Sequence, residues 1–174
     1  MLVGGTNRQY RLSRAGAERL AQGLVRLAKT SGAGLAVTPS RRTGAANEAV
    51  LREGLAPVPS VIWDGEGENP YFGYLALADA IVVTADSVSM VSEACATGKP
   101  VYVFDLEGGS RKFDRFHDKL REAGITRAFE GTLAEWRYRP PDDTERVAEE
   151  VRRRMGWAGA GQDDATCVAR DQGD

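Results

Sequence analysis

Two fully apolar tetrapeptides, Ala80-Ile81-Val82-Val83 and Val101-Tyr102-Val103-Phe104, enclose a segment of helical length. That spacing does not suit a hairpin. It suits a strand, a crossover helix and a second, parallel strand, and unbroken apolar runs mark strands covered on both faces. The junction between the first strand and the helix is Thr84-Ala85-Asp86-Ser87-Val88-Ser89-Met90-Val91-Ser92-Glu93-Ala94, and the helix closes at Thr97-Gly98-Lys99-Pro100. A polar turn that opens a helix is an anion site, because the first backbone N–H groups lack partners and the helix dipole adds positive potential. Asp86, Ser87 and Ser89 crowd this start, and Glu93 lies one turn beyond Ser89 on the same face. Asp86 or Ser87 also suits an N-cap. A capping box ending at Glu93 would need Ser or Thr where Met90 stands, so Glu93 has no evident local role and is a candidate ligand contact.

The same alternation runs through the chain. Ser13 caps a predicted helix with Leu20, Leu24, Leu27 and Ala28 at helical spacing, closed near Gly32 and Gly34. A strand over Leu35-Ala36-Val37-Thr38 ends at Pro39 and leads to a helix containing Val50 and Leu51. Val61-Ile62-Trp63 reads as a short strand, followed by the loop from Asp64 to Pro70 and a helical piece from about Tyr71 to Ala78. Beyond Phe104 a Gly-rich turn leads to an amphipathic helix with Phe113, Phe116 and Leu120, and a last helix covers about Thr144 to Met155. The expectation is an α/β fold, a Rossmann-like parallel sheet with helices on both faces. The domain is expected to span residues 1–156, with 157–174 a disordered polar tail. Met1-Leu2-Val3 is too short for an ordinary buried strand of ~5–6 residues. The expectation is therefore that upstream residues once completed it, through N-terminal truncation or an internal methionine start.

Polar clusters follow the strands and never precede them: Gly4–Arg8, Thr38–Thr43, Asp64–Tyr71 and Thr84–Ser89. In an open α/β sheet such loops share the edge where ligands bind. Ser40, Arg41, Arg42 and Thr43 offer two guanidinium forks and two hydroxyls, either a diphosphate grip or a pair of surface arginines. Gly5, Asn7 and Arg8 read in the same way, with Gly4-Gly5 allowing close backbone approach to a phosphate. Asn69-Pro70-Tyr71 suits a helix start, with Tyr71 either stacking on a base or serving as a core or rim aromatic. Lys112, Arg115 and His117 share the amphipathic helix; His117 is a surface or cap histidine or, as the rarer alternative, a catalytic base.

Several classes are excluded. The dinucleotide fingerprint G-x-G-x-x-G is absent, and Gly98-Lys99 runs into Pro100 without the upstream glycine of a P-loop. A net charge of −2 argues against a duplex nucleic-acid partner. One histidine and two distant cysteines, Cys95 and Cys167, leave no metal or disulfide framework, so no metal and no cofactor is expected. The cysteine usage fits a reducing, cytoplasmic setting. No apolar run approaches the ~20 residues of a membrane span.

The blocks Gly4-Gly5-x-Asn7-Arg8, Thr38–Thr43, Asn69-Pro70-Tyr71, Ala85–Ala94, Thr97–Val101 and Lys112-Phe113-x-x-Phe116-His117 together resemble the mitochondrial-fission (elongated-mitochondria) family. Its bacterial members carry the labels glycosyltransferase and nucleoside-diphosphate-sugar epimerase. The resemblance implies the C-terminal, donor-binding half of a GT-B-like fold, with an N-terminal acceptor domain missing from this chain. It implies a nucleotide-diphosphate sugar as the ligand and an acceptor at a membrane surface, with no nucleic-acid partner. Asp86, Ser87 and Ser89 would then mark the phosphate-facing helix start, and Arg41 and Arg42 would offset the leaving group. Glu93 stands where such enzymes hold the ribose hydroxyls, ahead of the Gly98-Lys99-Pro100 turn. The catalytic residue is unassigned. A non-catalytic nucleotide-binding scaffold and a nucleotide-sugar epimerase are the alternatives.

Overall fold

Each apolar run becomes a strand and each Ser- or Gly-bounded periodic segment a helix in the computed structural model, which describes residues 1–157. The elements are β1 (Leu2–Val3), β2 (Tyr10–Arg11), α1 (Arg14–Ser31), β3 (Leu35–Pro39), α2 (Ala45–Leu55), β4 (Ser60–Ile62) and α3 (Tyr71–Leu77). They continue with β5 (Ile81–Thr84), α4 (Val88–Ala96), β6 (Val101–Phe104), β7 (Glu107–Gly108), α5 (Arg111–Glu122), β8 (Thr126–Ala128) and α6 (Asp143–Met155). They fall into one unit of Met1–Pro141 and another that starts at Asp142 and, among the described residues, holds α6. The expected polar tail lies, from residue 158 on, outside the described residues.

The first unit is the expected Rossmann-like α/β fold. The six strands of its main sheet are all parallel in the order β4-β3-β1-β5-β6-β8. The chain builds outward from β1 to β4, then returns to the other side of β1 to lay down β5, β6 and β8. Its direction reverses between β1 and β5, the switch point beside which open α/β sheets bind ligands.

Leu2–Val3, expected to be too short, is the central strand. Leu2 pairs with Thr38 on one side and Val83 on the other, and both strand residues are buried. Hydrogen-bonded neighbours on both sides stabilise a strand that could not stand at an edge. Pro39, expected to end β3, remains inside it. Pairing with β4 stops at Val37 opposite Ile62, while the amides of Thr38 and Ser40 donate to the Met1 and Val3 carbonyls. The missing N–H of Pro39 therefore falls beyond the last rung on the β4 side.

Ser13 caps α1 by accepting from the Gly16 amide, and Gly32 closes it in the left-handed conformation. The buried stripe Leu20, Leu24 and Leu27 holds the helix to the sheet, and truncating one such leucine to alanine costs about 2–5 kcal/mol. Lys99 of the α4–β6 turn donates from Nζ to the Leu75 and Ala76 carbonyls, so it closes the end of α3 and is not aimed at a ligand. The strap after β8 is pinned by Tyr102 Oη to Ala134 and by Tyr138 Oη, 2.8 Å from the Lys99 carbonyl. Arg127 stacks 4.3 Å over the Trp136 ring.

Three short elements were not foreseen. β8 is an edge strand with Arg127 and Ala128 exposed, so it shows no apolar run. β2 and β7 form an antiparallel ribbon of two-residue strands, joining the loop after β1 to the turn before α5. In the second unit, α6 ends at Gly156 in the left-handed conformation, and Glu150 pairs with Arg153 and Arg154. Among the described residues no helix is long and apolar enough to cross a membrane.

Candidate functional site at the carboxyl edge of the sheet

The loops after β1, β3 and β5 are knitted together at the switch point by one carboxylate. Asp86 has a fully buried side chain. Its Oδ2 accepts from the Gly5 amide at 3.0 Å and from Arg42 Nη2 at 2.9 Å, and its Oδ1 accepts from Thr84 Oγ1 at 2.6 Å. Thr84 Oγ1 in turn accepts from the Gly4 amide at 2.7 Å, and the Asn7 side-chain amide donates to the Asp86 carbonyl at 3.1 Å. Thr43, also buried, donates to the Gly4 carbonyl and accepts from the Ser40 amide; Ser40 Oγ donates to the same Gly4 carbonyl.

This explains Gly4-Gly5 differently from the sequence. A Cβ on Gly4 would stand 2.1 Å from Asp86 Oδ1, and one on Gly5 2.0 Å from the Arg42 carbonyl. The glycines let three loops close on one another, and the Gly5 N–H that a phosphate could take is already bonded to Asp86. Asp86, expected among the phosphate-facing groups, is thus turned inward. Asn7 is also committed, since its Oδ1 accepts from the amides of Gln9 and Tyr10 and shapes the turn into β2. Ser87 is the N-cap of α4, accepting from the Met90 amide at 3.4 Å.

The neighbouring ground over β3 and β4 is different. A cavity of 320 Å³ opens there, lined by Thr38, Arg41, Trp63, Asn69, Tyr71 and Met90 among others. Thr38 is 5% exposed, and its Oγ1 has no hydrogen-bond partner. Arg41 is exposed and makes no ion pair or hydrogen bond among the described residues, in contrast to Arg42 beside it. Arg8, after β1, is likewise exposed and unpaired among the described residues. Ser89 is exposed in the first turn of α4. One turn on, the exposed Glu93 accepts a hydrogen bond from the Tyr71 hydroxyl through Oε2. Burial first, then that bond and the Glu93 charge, hold the Tyr71 phenol well above its ordinary pKa. Asn69 Oδ1 accepts from the Tyr71 amide and so starts α3.

The candidate residues therefore separate into two sets. Gly5, Asn7, Arg42, Thr43, Asp86 and the hydroxyl of Ser40 form an internal network; Arg41, Asn69 and Tyr71 line the cavity, Glu93 bonds to Tyr71, and Arg8 after β1 and Ser89 in the first turn of α4 are exposed. Trp63 and Met90 were not singled out by sequence as site residues, and Thr38 only as the first residue of the Thr38–Thr43 cluster. An aromatic at a strand's carboxyl end is a usable signal for Trp63, but nothing local marks the hydroxyl of Thr38 as unpartnered.

His117, expected on the surface or at a cap, is buried. Its Nε2 lies 2.8 Å from the Ala85 carbonyl, which can only accept, so this nitrogen carries the proton and Nδ1 is left without a partner. It ties α5 to the turn that ends in Asp86. The Cys95 thiol is buried under α4, which pushes its pKa up to about 12 and keeps it from acting as a nucleophile near neutral pH. Among the described residues no three His, Cys, Asp or Glu side chains gather as a metal site would require.

Comparison with known proteins returned a family model described as Mitochondrial fission ELM1, matching residues 1–155. Mitochondrial fission protein ELM1 of Arabidopsis thaliana is 42% identical over 149 residues, which cover 82% of this chain and 35% of that protein. Uncharacterized protein RP120 of Rickettsia prowazekii (strain Madrid E) is 29% identical over 160 residues, 87% of this chain and 45% of the relative. The chain thus spans less than half the length of the curated relatives it matches. No solved structure matches.

Proposed function

This chain belongs to the mitochondrial fission ELM1 family, and from that premise we propose that its sheet edge binds the nucleoside diphosphate of a nucleotide sugar, as the donor half of a GT-B-like glycosyltransferase. One observation carries the reading. At the carboxyl edge of a parallel sheet, the unpaired Arg41 and the Tyr71 that donates to the exposed Glu93 line a cavity, while the neighbouring polar groups are consumed internally.

In this reading Arg41, with Arg8 beyond it, offsets the diphosphate charge, and the first-turn N–H groups of α4 near Ser89 add to the positive potential. Arg42 contributes the exposed part of its guanidinium, whose side chain is 44% accessible, while holding Asp86. Glu93 accepts from ribose hydroxyls and has lone pairs to spare beyond the Tyr71 bond. The acceptor site and the catalytic base then belong to a part of a full-length family protein outside these residues, with the acceptor at a membrane surface and the enzyme cytoplasmic. Donor and acceptor then need both halves for turnover, because positioning supplies much of the rate.

Calorimetry of the 174-residue chain with UDP, GDP and ADP at low and high salt tests the reading. Binding to at least one of them, weakening as salt rises, is expected. No heat with any of the three rejects it. The fission role for which the Arabidopsis relative is named favours a second reading, a non-catalytic nucleotide-binding or scaffold protein. Glycosyl transfer by a full-length family protein separates the two, and sugar isomerisation without an acceptor would point to an epimerase.

A further inference from the structure

We propose that the 320 Å³ cavity over the carboxyl ends of β3 and β4 is a nucleobase pocket in which Thr38 Oγ1 makes the base-edge hydrogen bond. The inference rests on the nucleoside-diphosphate reading above and extends it from the phosphate end to the base.

Two features of the cavity select the chemistry. Its walls are mostly apolar or flat: Val3, Pro39, Met90 and the rings of Trp63 and Tyr71. Its polar atoms are few and mostly spoken for. The Trp63 indole N–H donates to the Glu66 carbonyl at 3.0 Å, the Ser40 hydroxyl to the Gly4 carbonyl at 3.0 Å, and the Tyr71 hydroxyl to Glu93. What remains, besides the Arg41 guanidinium, is the hydroxyl of Thr38, a residue 5% exposed whose Oγ1 is buried and unpartnered, together with the Asn69 side-chain amide N–H groups. A sugar ring carries hydroxyls around its whole rim and would leave most of them unsatisfied here. A planar heterocycle has two apolar faces and one polar edge, which matches aromatic and thioether walls with a hydroxyl and an amide. Thr38 Oγ1 both donates and accepts, so it can meet either kind of edge atom.

The hydroxyl also has a cost in the empty protein. A buried polar atom without a partner is unfavourable, and nothing in the fold uses this one. Valine has the same shape and would fill the strand position without that cost. A group that destabilises the empty state and is completed by a bound ligand is what a recognition site requires. Arg41 lines the same cavity, so a base seated inside leaves its diphosphate within reach of the unpaired guanidinium.

The test is Thr38→Val in the 174-residue chain, titrated with UDP, GDP, ADP and inorganic pyrophosphate, with the Trp63 indole N–H signal followed by NMR. Expected are a loss of about tenfold in affinity for the preferred nucleoside diphosphate, a flattened preference among bases and unchanged pyrophosphate affinity. The melting temperature should hold or rise. Unchanged nucleotide binding, an equal loss for pyrophosphate, or a fall in melting temperature each overturns the assignment while leaving the diphosphate reading intact. If the unmodified chain binds neither pyrophosphate nor any of the nucleotides, the diphosphate reading fails instead. In that case a shift of the Trp63 signal by uridine, guanosine or adenosine that disappears in Thr38→Val still supports the pocket, and no shift overturns it.

Discussion

The Asp86 network and the Thr38 cavity stand side by side on one sheet edge and are built on opposite principles. Around Asp86 three donors, from the loops after β1 and β3 and from the end of β5, converge on one buried carboxylate, and the glycines are there so that the loops can close. Around Thr38 a buried hydroxyl and an exposed arginine have no partners within the described chain. Polar groups satisfied internally stabilise the empty protein; unsatisfied ones are affordable only where something else completes them. The comparison separates architecture from recognition among residues that look alike in sequence.

The strongest way to break it is Asp86→Ala. That change leaves the Gly5 amide and the Thr84 hydroxyl without their buried acceptor and opens a void, so urea denaturation should show a loss of roughly 3–5 kcal/mol. A variant as stable as the parent that merely binds nucleotide less well would make Asp86 a ligand contact and erase the distinction. Gly4→Ala comes next. Its Cβ would overlap the Asp86 carboxylate, and an expected loss of about 1–3 kcal/mol follows from overpacking a closed site.

The adjacent arginines give the sharpest contrast. Arg42→Ala removes one of three partners of a buried carboxylate and should cost about 1–2 kcal/mol of stability, reduced from a fully buried pair because the guanidinium is partly solvated. Arg41→Ala should leave stability within ~0.5 kcal/mol while weakening nucleoside diphosphate binding, most visibly at low salt. Equal stability effects in the two variants would mean that their positions in the fold are not the ones described.

The smallest expected change is Glu93→Gln. Its melting temperature should barely move, because the Tyr71 hydroxyl keeps an acceptor of the same shape, while nucleoside diphosphate affinity falls a few-fold, about 1 kcal/mol. Repeating the titration with a 2′-deoxyribose nucleotide sharpens the result. A ribose contact makes the mutation and the deoxy change non-additive, and independent losses would remove the 2′-hydroxyl from Glu93.

Much of this molecule is written locally. Apolar tetrapeptides, the Ser13 cap and the glycine closing α1 are short-range signals, and they suffice for a parallel α/β fold with its polar loops on one edge. The same signals place Asp86, Ser87 and Ser89 at the start of a helix and Glu93 one turn further on. They fail where stability comes from a distant neighbour. Leu2–Val3 is a strand because β3 and β5 flank it, β2 exists because β7 lies beside it, and His117 is buried because Ala85 offers it a carbonyl.

What the sequence determined by itself, then, is which groups stand at the sheet edge; the tertiary structure decided which of them are free. Asp86 meets the Gly5 amide across a separation of 81 residues and Arg42 across 44, and no local pattern encodes either bond. Arg41 and Arg42 are neighbours of the same type, yet one is held by a buried carboxylate and the other faces the cavity. Hydrogen-bond satisfaction belongs to pairs brought together by the fold, whereas strand and helix propensity belong to the stretch of chain that carries them.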